Sequence, residues 1–70
     1  MQLFKKNEFR AALLRKGWTI AALAKEIGIN EATLSKKING HTDFTREEVS
    51  KISKALELSD SEIMAIFFAE

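Results

Sequence analysis

The sequence predicts an all-α domain of five short helices. Three observations carry this reading. One helix-entry pattern recurs four times along the chain. The three glycines, Gly17, Gly28 and Gly40, each fall just past a segment of helical periodicity and never inside one. Strand signals are missing, since the Asn39-Gly40 pair follows a helix-period segment instead of joining two alternating runs.

The entry pattern is an apolar residue, a Ser, Thr or Asn cap, and a second apolar residue four places past the cap. That is the hydrophobic staple, which fixes the angle at which the chain enters a helix. It is formed by Trp18-Thr19 with Leu23, Ile29-Asn30 with Leu34, Phe44-Thr45 with Val49, and Leu58-Ser59 with Ile63. Thr45 with Glu48 and Ser59 with Glu62 also have capping-box spacing. The first helix has no such signal and is expected from about residue 7 to 16, closed by Gly17. The others are expected over 20–27, 31–39, 46–56 and 60–68. Helical spacing then selects a core: Phe9 and Leu13, Leu23, Ala24 and Ile27, Leu34 and Ile38, and Val49, Ile52 and Leu56. Trp18 reads as a staple and core plug.

A chain of 70 residues is one domain, here 1–70, and a chain this small buries only about 60 % of its unfolded surface. It has no cysteine and one histidine. Thiolate zinc sites, iron–sulfur clusters, cysteine nucleophiles and His-pair metal sites are excluded, and no cofactor is expected. No glycine-rich phosphate loop and no nucleophile–base pair is present, so an enzyme is not expected. No apolar run approaches the roughly 20 residues of a membrane span, and the start lacks a signal-peptide pattern. A cytoplasmic location is the expectation.

The net charge of +1 hides an asymmetry. Residues 1–37 carry eight basic and three acidic side chains, whereas residues 38–70 carry three basic and seven acidic ones. The halves are therefore +5 and −4. Such a division suits one face for an anion and another turned away from it.

Between the second and third helices lie only Gly28, Ile29 and Asn30. So short a turn forces a steep crossing. Ala24 is small enough to let the third helix approach, Gly28 supplies a positive φ, and Ile29 plugs the gap. This is the spacing of a helix-turn-helix unit at about residues 20–39. The run Leu23-Ala24-Lys25-Glu26-Ile27-Gly28-Ile29-Asn30-Glu31-Ala32-Thr33-Leu34-Ser35-Lys36-Lys37-Ile38-Asn39-Gly40 resembles the phage repressor and Cro type of helix-turn-helix domain, the Xre family. The resemblance covers residues 9 to 58. Asp43-Phe44-Thr45 and the Ile66-Phe67-Phe68 ending further resemble small regulators of phages and mobile elements.

The resemblance implies a compact five-helix, lambda-repressor-like DNA-binding domain that works as a dimer on a palindromic operator in double-stranded DNA. It places the third helix in the major groove and base reading at Glu31, Ala32, Ser35 and Lys36. Lys36 suits guanine O6 and N7, Ala32 a thymine methyl, Ser35 either base type, and Glu31 cytosine N4. Glu31 has a second reading as a first-turn carboxylate that favours the helix dipole. The resemblance also implies phosphate contacts from Thr19, Lys37, Asn39, Thr42 and Arg46, with Lys25 as a further candidate and Lys5, Lys6 and Arg10 as a basic arm. Many members place glutamine where this chain has Ile20, so one expected phosphate contact is missing. The plain alternative for each lysine is a solvated surface charge. His41 reads as an exposed loop residue.

The fifth helix crowds Ile63, Met64, Ile66, Phe67 and Phe68 into one turn and a half. Ile63, Ile66 and Phe67 share a face and are the expected dimer contact, with core packing as the alternative. Two functions therefore follow. One is a sequence-specific transcriptional regulator, a repressor or Cro-like switch. The other is a protein-interaction module on the same fold, an antitoxin or anti-regulator that acts through the C-terminal apolar helix.

Overall fold

The computed structural model describes residues 4–68. Within them lie five helices: α1 (Lys6–Arg15), α2 (Ile20–Ile27), α3 (Glu31–Ile38), α4 (Arg46–Ala55) and α5 (Asp60–Phe67). The ends differ from the expected ones by at most one residue, as fraying and capping turns allow.

Four caps hold these helices as their sequence implies. Thr19, Asn30, Thr45 and Ser59 are all extended, and each side chain accepts the amide three residues on. Glu48 and Glu62 complete reciprocal capping boxes by accepting the Thr45 and Ser59 amides at 2.9 and 2.8 Å. α1 begins differently. It starts at Lys6 without a side-chain cap, and the Lys5 amide instead donates to the Ile66 carbonyl at 2.7 Å. The entry of the first helix is thus fixed by the last.

α2 packs on both α3 and α4, and α1 packs on α5. Nine of the ten expected core residues are buried. Val49 is the exception. It is half-buried and lines a shallow groove with Leu58 and Ile63 between α4 and α5. Ala12, Ile66 and Phe67 join the core. That overturns part of the expected dimer contact: Ile66 is 2 % and Phe67 7 % exposed, so neither offers a surface to another molecule. The large apolar residues left to solvent at this end are Met64 in α5, at 57 %, and Phe68 just after it, at 48 %.

One packing feature has no counterpart in the helical periodicity. Phe4, Phe9, Phe44 and Phe67 form an aromatic cluster in which every pair of ring centroids lies 4.9–6.4 Å apart. All are tilted or edge-on, the arrangement that the ring quadrupole favours. The cluster joins the N-terminal segment, α1, the α3–α4 connection and α5.

Polar contacts reinforce the α1–α5 pairing. Glu62 accepts from Arg15 at 3.0 Å and from Lys16 at 3.5 Å, and Lys16 also donates to the Glu57 carbonyl at 3.2 Å. The Ser59 amide, the Arg15 guanidinium and the nearby Lys16 ammonium all favour the charged carboxylate. They hold Glu62 well below its ordinary value of 4.5, at about 2. A folded-state pKa below the unfolded one stabilises the fold above pH 4.5 and loses that contribution as pH falls toward 2. Denaturant midpoints measured from pH 5 to pH 2 are expected to fall less steeply for Glu62→Gln than for the parent protein.

α4 ends without the glycine found after α1, α2 and α3. Glu57 takes the left-handed conformation there, with φ of 53°. An L-residue with a Cβ pays a conformational penalty in that region. Glu57→Gly is expected to stabilise the domain by about 1 kcal/mol, read as a higher urea midpoint at unchanged slope.

Candidate nucleic-acid interface

The site is assembled by the α2–α3 turn. Gly28 closes α2 with φ of 83°, and an added Cβ there would meet nothing within 4 Å. The glycine is therefore required by its backbone conformation and not by crowding. The amides of Gly28 and Ile29 both donate to the Ala24 carbonyl at 3.0 Å, which tightens the end of α2. Ala24 is buried at the contact and Ile29 packs against the core. Asn30 then opens α3 by accepting the Thr33 amide at 2.7 Å.

α3 is eight residues long and divides cleanly. Leu34 and Ile38, four apart, are buried. Glu31, Ala32 and Lys36 are exposed on the other side, and Ser35 is half-buried beside them. The four residues expected to read bases thus lie on one outward face. Lys36 pairs with no carboxylate among the described residues. Glu31 stands in the first turn, where a carboxylate complements the helix N-terminus.

The expected phosphate contacts do not share one environment. Thr19 is exposed at the start of α2, with its hydroxyl capping the Ala22 amide at 3.1 Å. Asn39 and Thr42 are exposed after α3, and Arg46 is exposed at the first position of α4. Lys6 reaches the Asn39 side chain at 3.5 Å, which places one residue of the basic arm beside the end of α3. Lys37 has partners within the chain. Its ammonium lies 3.1 Å from Glu48 and donates to the Asp43 carbonyl at 3.1 Å. Burial pulls the Glu48 carboxyl upward, but the Thr45 amide and Lys37 outweigh it and leave the pKa below its ordinary value.

The basic half of the sequence is accordingly less free than its charge suggests. Arg15, Lys16 and Lys37 are drawn into ion pairs with Glu62 and Glu48. Lys5, Lys6, Arg10, Lys25 and Lys36 remain exposed. Among the described residues no group of three or more His, Asp or Glu is placed to hold a metal ion. No helix among them is long and apolar enough to cross a membrane.

Comparison with known proteins agrees with this geometry. The model of the helix-turn-helix family matches residues 9–63, from the first core aromatic of α1 into α5. The chain belongs to that family. Its fold is the five-helix, lambda-repressor-like arrangement, with the helix-turn-helix formed by α2 and α3. The helix-turn-helix domain is also similar to the antitoxin HipB of Escherichia coli (strain K12), with 40 % identity over 53 residues. The alignment covers 76 % of this chain and 60 % of HipB.

Proposed function

We propose that this helix-turn-helix domain is a sequence-specific DNA-binding transcriptional regulator, a repressor or Cro-like switch, with α3 seated in the major groove. The observation that supports this most is the division of α3, whose Leu34 and Ile38 anchor it while Glu31, Ala32, Ser35 and Lys36 face outward together. Lys36 supplies the bidentate donor suited to guanine, and Ala32, Ser35 and Glu31 complete the reading surface. Thr19, Asn39, Thr42 and Arg46 flank it as backbone contacts, and Lys6 extends them from α1. Repression is steric, by occupation of an operator that overlaps a promoter.

The protein acts on a palindromic site as a homodimer. The exposed Met64 and Phe68, beside the Val49–Leu58–Ile63 groove, support a contact at the α5 end of the domain. The acidic residues of α4 and α5 keep that end from the phosphates.

The similarity to a protein named as an antitoxin favours a second reading, in which the exposed residues of α5 bind a protein partner. Selection of the purified protein against randomised duplexes at physiological salt separates the two. The regulator reading expects an enriched palindrome with half-sites about one helical turn apart and affinity that falls steeply with salt. Absence of any enriched sequence, together with a stable complex with a protein partner, moves the function to the second reading.

A further inference from the structure

Lys37 sits next to the base-reading face but is turned from it. Its side chain is only 12 % exposed and that of Glu48 only 16 %. The Glu48 Oε1 that it meets at 3.1 Å also accepts the Thr45 amide at 2.9 Å. One carboxylate oxygen therefore joins α3, the 39–45 connection and the first turn of α4. The amides of Gly40 and His41 close the end of α3 on the Lys37 and Lys36 carbonyls. Further along the connection, the Lys37 ammonium reaches the Asp43 carbonyl.

We infer that Lys37 is a positioning residue for DNA recognition, holding the α3–α4 connection, and with it Asn39, Thr42 and Arg46, in register with the base-reading face. The inference rests on the proposed role of α3. A lysine paired with a half-buried carboxylate adds little net field at the phosphates and displaces no counterion. Its loss misplaces other contacts without removing a phosphate contact of its own.

The test uses Lys37→Met, Glu48→Gln and the double variant, each titrated against the selected duplex at several salt concentrations. Amide hydrogen exchange of residues 39–45 is measured on the same proteins without DNA. Glutamine at position 48 keeps an acceptor for the Thr45 amide, so the α4 cap survives in that variant. Each single substitution is expected to weaken binding about tenfold, and the double variant is expected to be no weaker than the weaker single, as coupled partners behave. The slope of log affinity against log salt stays within about 0.3 of the parent value, and exchange in 39–45 quickens.

The inference is overturned if Lys37→Met reduces the slope by about 0.9 while Glu48→Gln tightens binding, because the lysine then belongs to a phosphate. Unchanged affinity or unchanged exchange in both single variants overturns it equally, and leaves the DNA-binding reading standing. If the parent protein selects no duplex, the DNA-binding reading itself fails and takes this inference with it.

Discussion

Phe9→Ala is expected to remove a large share of the domain's stability. Phe9 is fully buried, and its ring meets Phe4, Phe44 and Phe67 at centroid distances of 5.4, 6.3 and 6.4 Å. Truncating such a residue costs about 3–5 kcal/mol, the lost transfer energy plus the cavity left behind. A domain of this size has only about 4–10 kcal/mol of stability in total. The cluster is also where the N-terminal segment, α1, the α3–α4 connection and α5 meet, so the damage extends to the alignment of α3. A melt followed by circular dichroism is expected to show a midpoint lowered by at least about 15 °C. A drop below about 5 °C would mean that the four rings are not the keystone of the packing.

Lys36→Ala is expected to weaken operator binding by about 1–3 kcal/mol, roughly fivefold to 150-fold, and to relax preference at one base pair of each half-site. The side chain is exposed, pairs with no carboxylate among the described residues and lies on the outward face of α3. The fold is expected to stay intact, because Leu34 and Ile38 carry the burial of this helix. The discriminating measurement is affinity for the selected duplex and for variants changed at single positions. A uniform loss across all sequences would make Lys36 a phosphate contact instead of a reader.

The sequence was most informative where cause and effect lie close together along the chain. The caps at Thr19, Asn30, Thr45 and Ser59 act on amides three residues away, so their chemistry is visible in a short window. The turn at Gly28 is local in the same sense, and it carries the helix-turn-helix. Nine of the ten core residues that helical spacing selects are buried. What escaped that reading depends on distant partners. The Lys5 amide and the Ile66 carbonyl are brought together only when α1 meets α5. Phe4 has no helical register of its own, so its place among the aromatic rings is set by tertiary contact.

The candidate site shows the same limit. The outward set on α3 follows from which positions its apolar residues occupy. The ion pair of Lys37 does not, because its carboxylate partner is eleven positions away on another helix. A lysine in a basic run reads as a phosphate contact until its neighbour in space is known. Ile66 and Phe67 illustrate the converse. Five large apolar residues in one short helix look like an unpartnered surface, yet the aromatic cluster absorbs Phe67 and the core absorbs Ile66, which leaves Met64 and Phe68 outside.

The proposed function requires the outward face of α3 to read DNA. The most direct test is an amide chemical-shift titration of isotope-labelled protein with the selected duplex. The largest changes are expected on residues 31–36, with a second group at Thr19, Asn39, Thr42 and Arg46 and little change along the α5 surface beyond any dimer contact. Large changes centred on Met64 and Phe68, with residues 31–36 unmoved, would contradict it and place binding at the opposite end of the molecule.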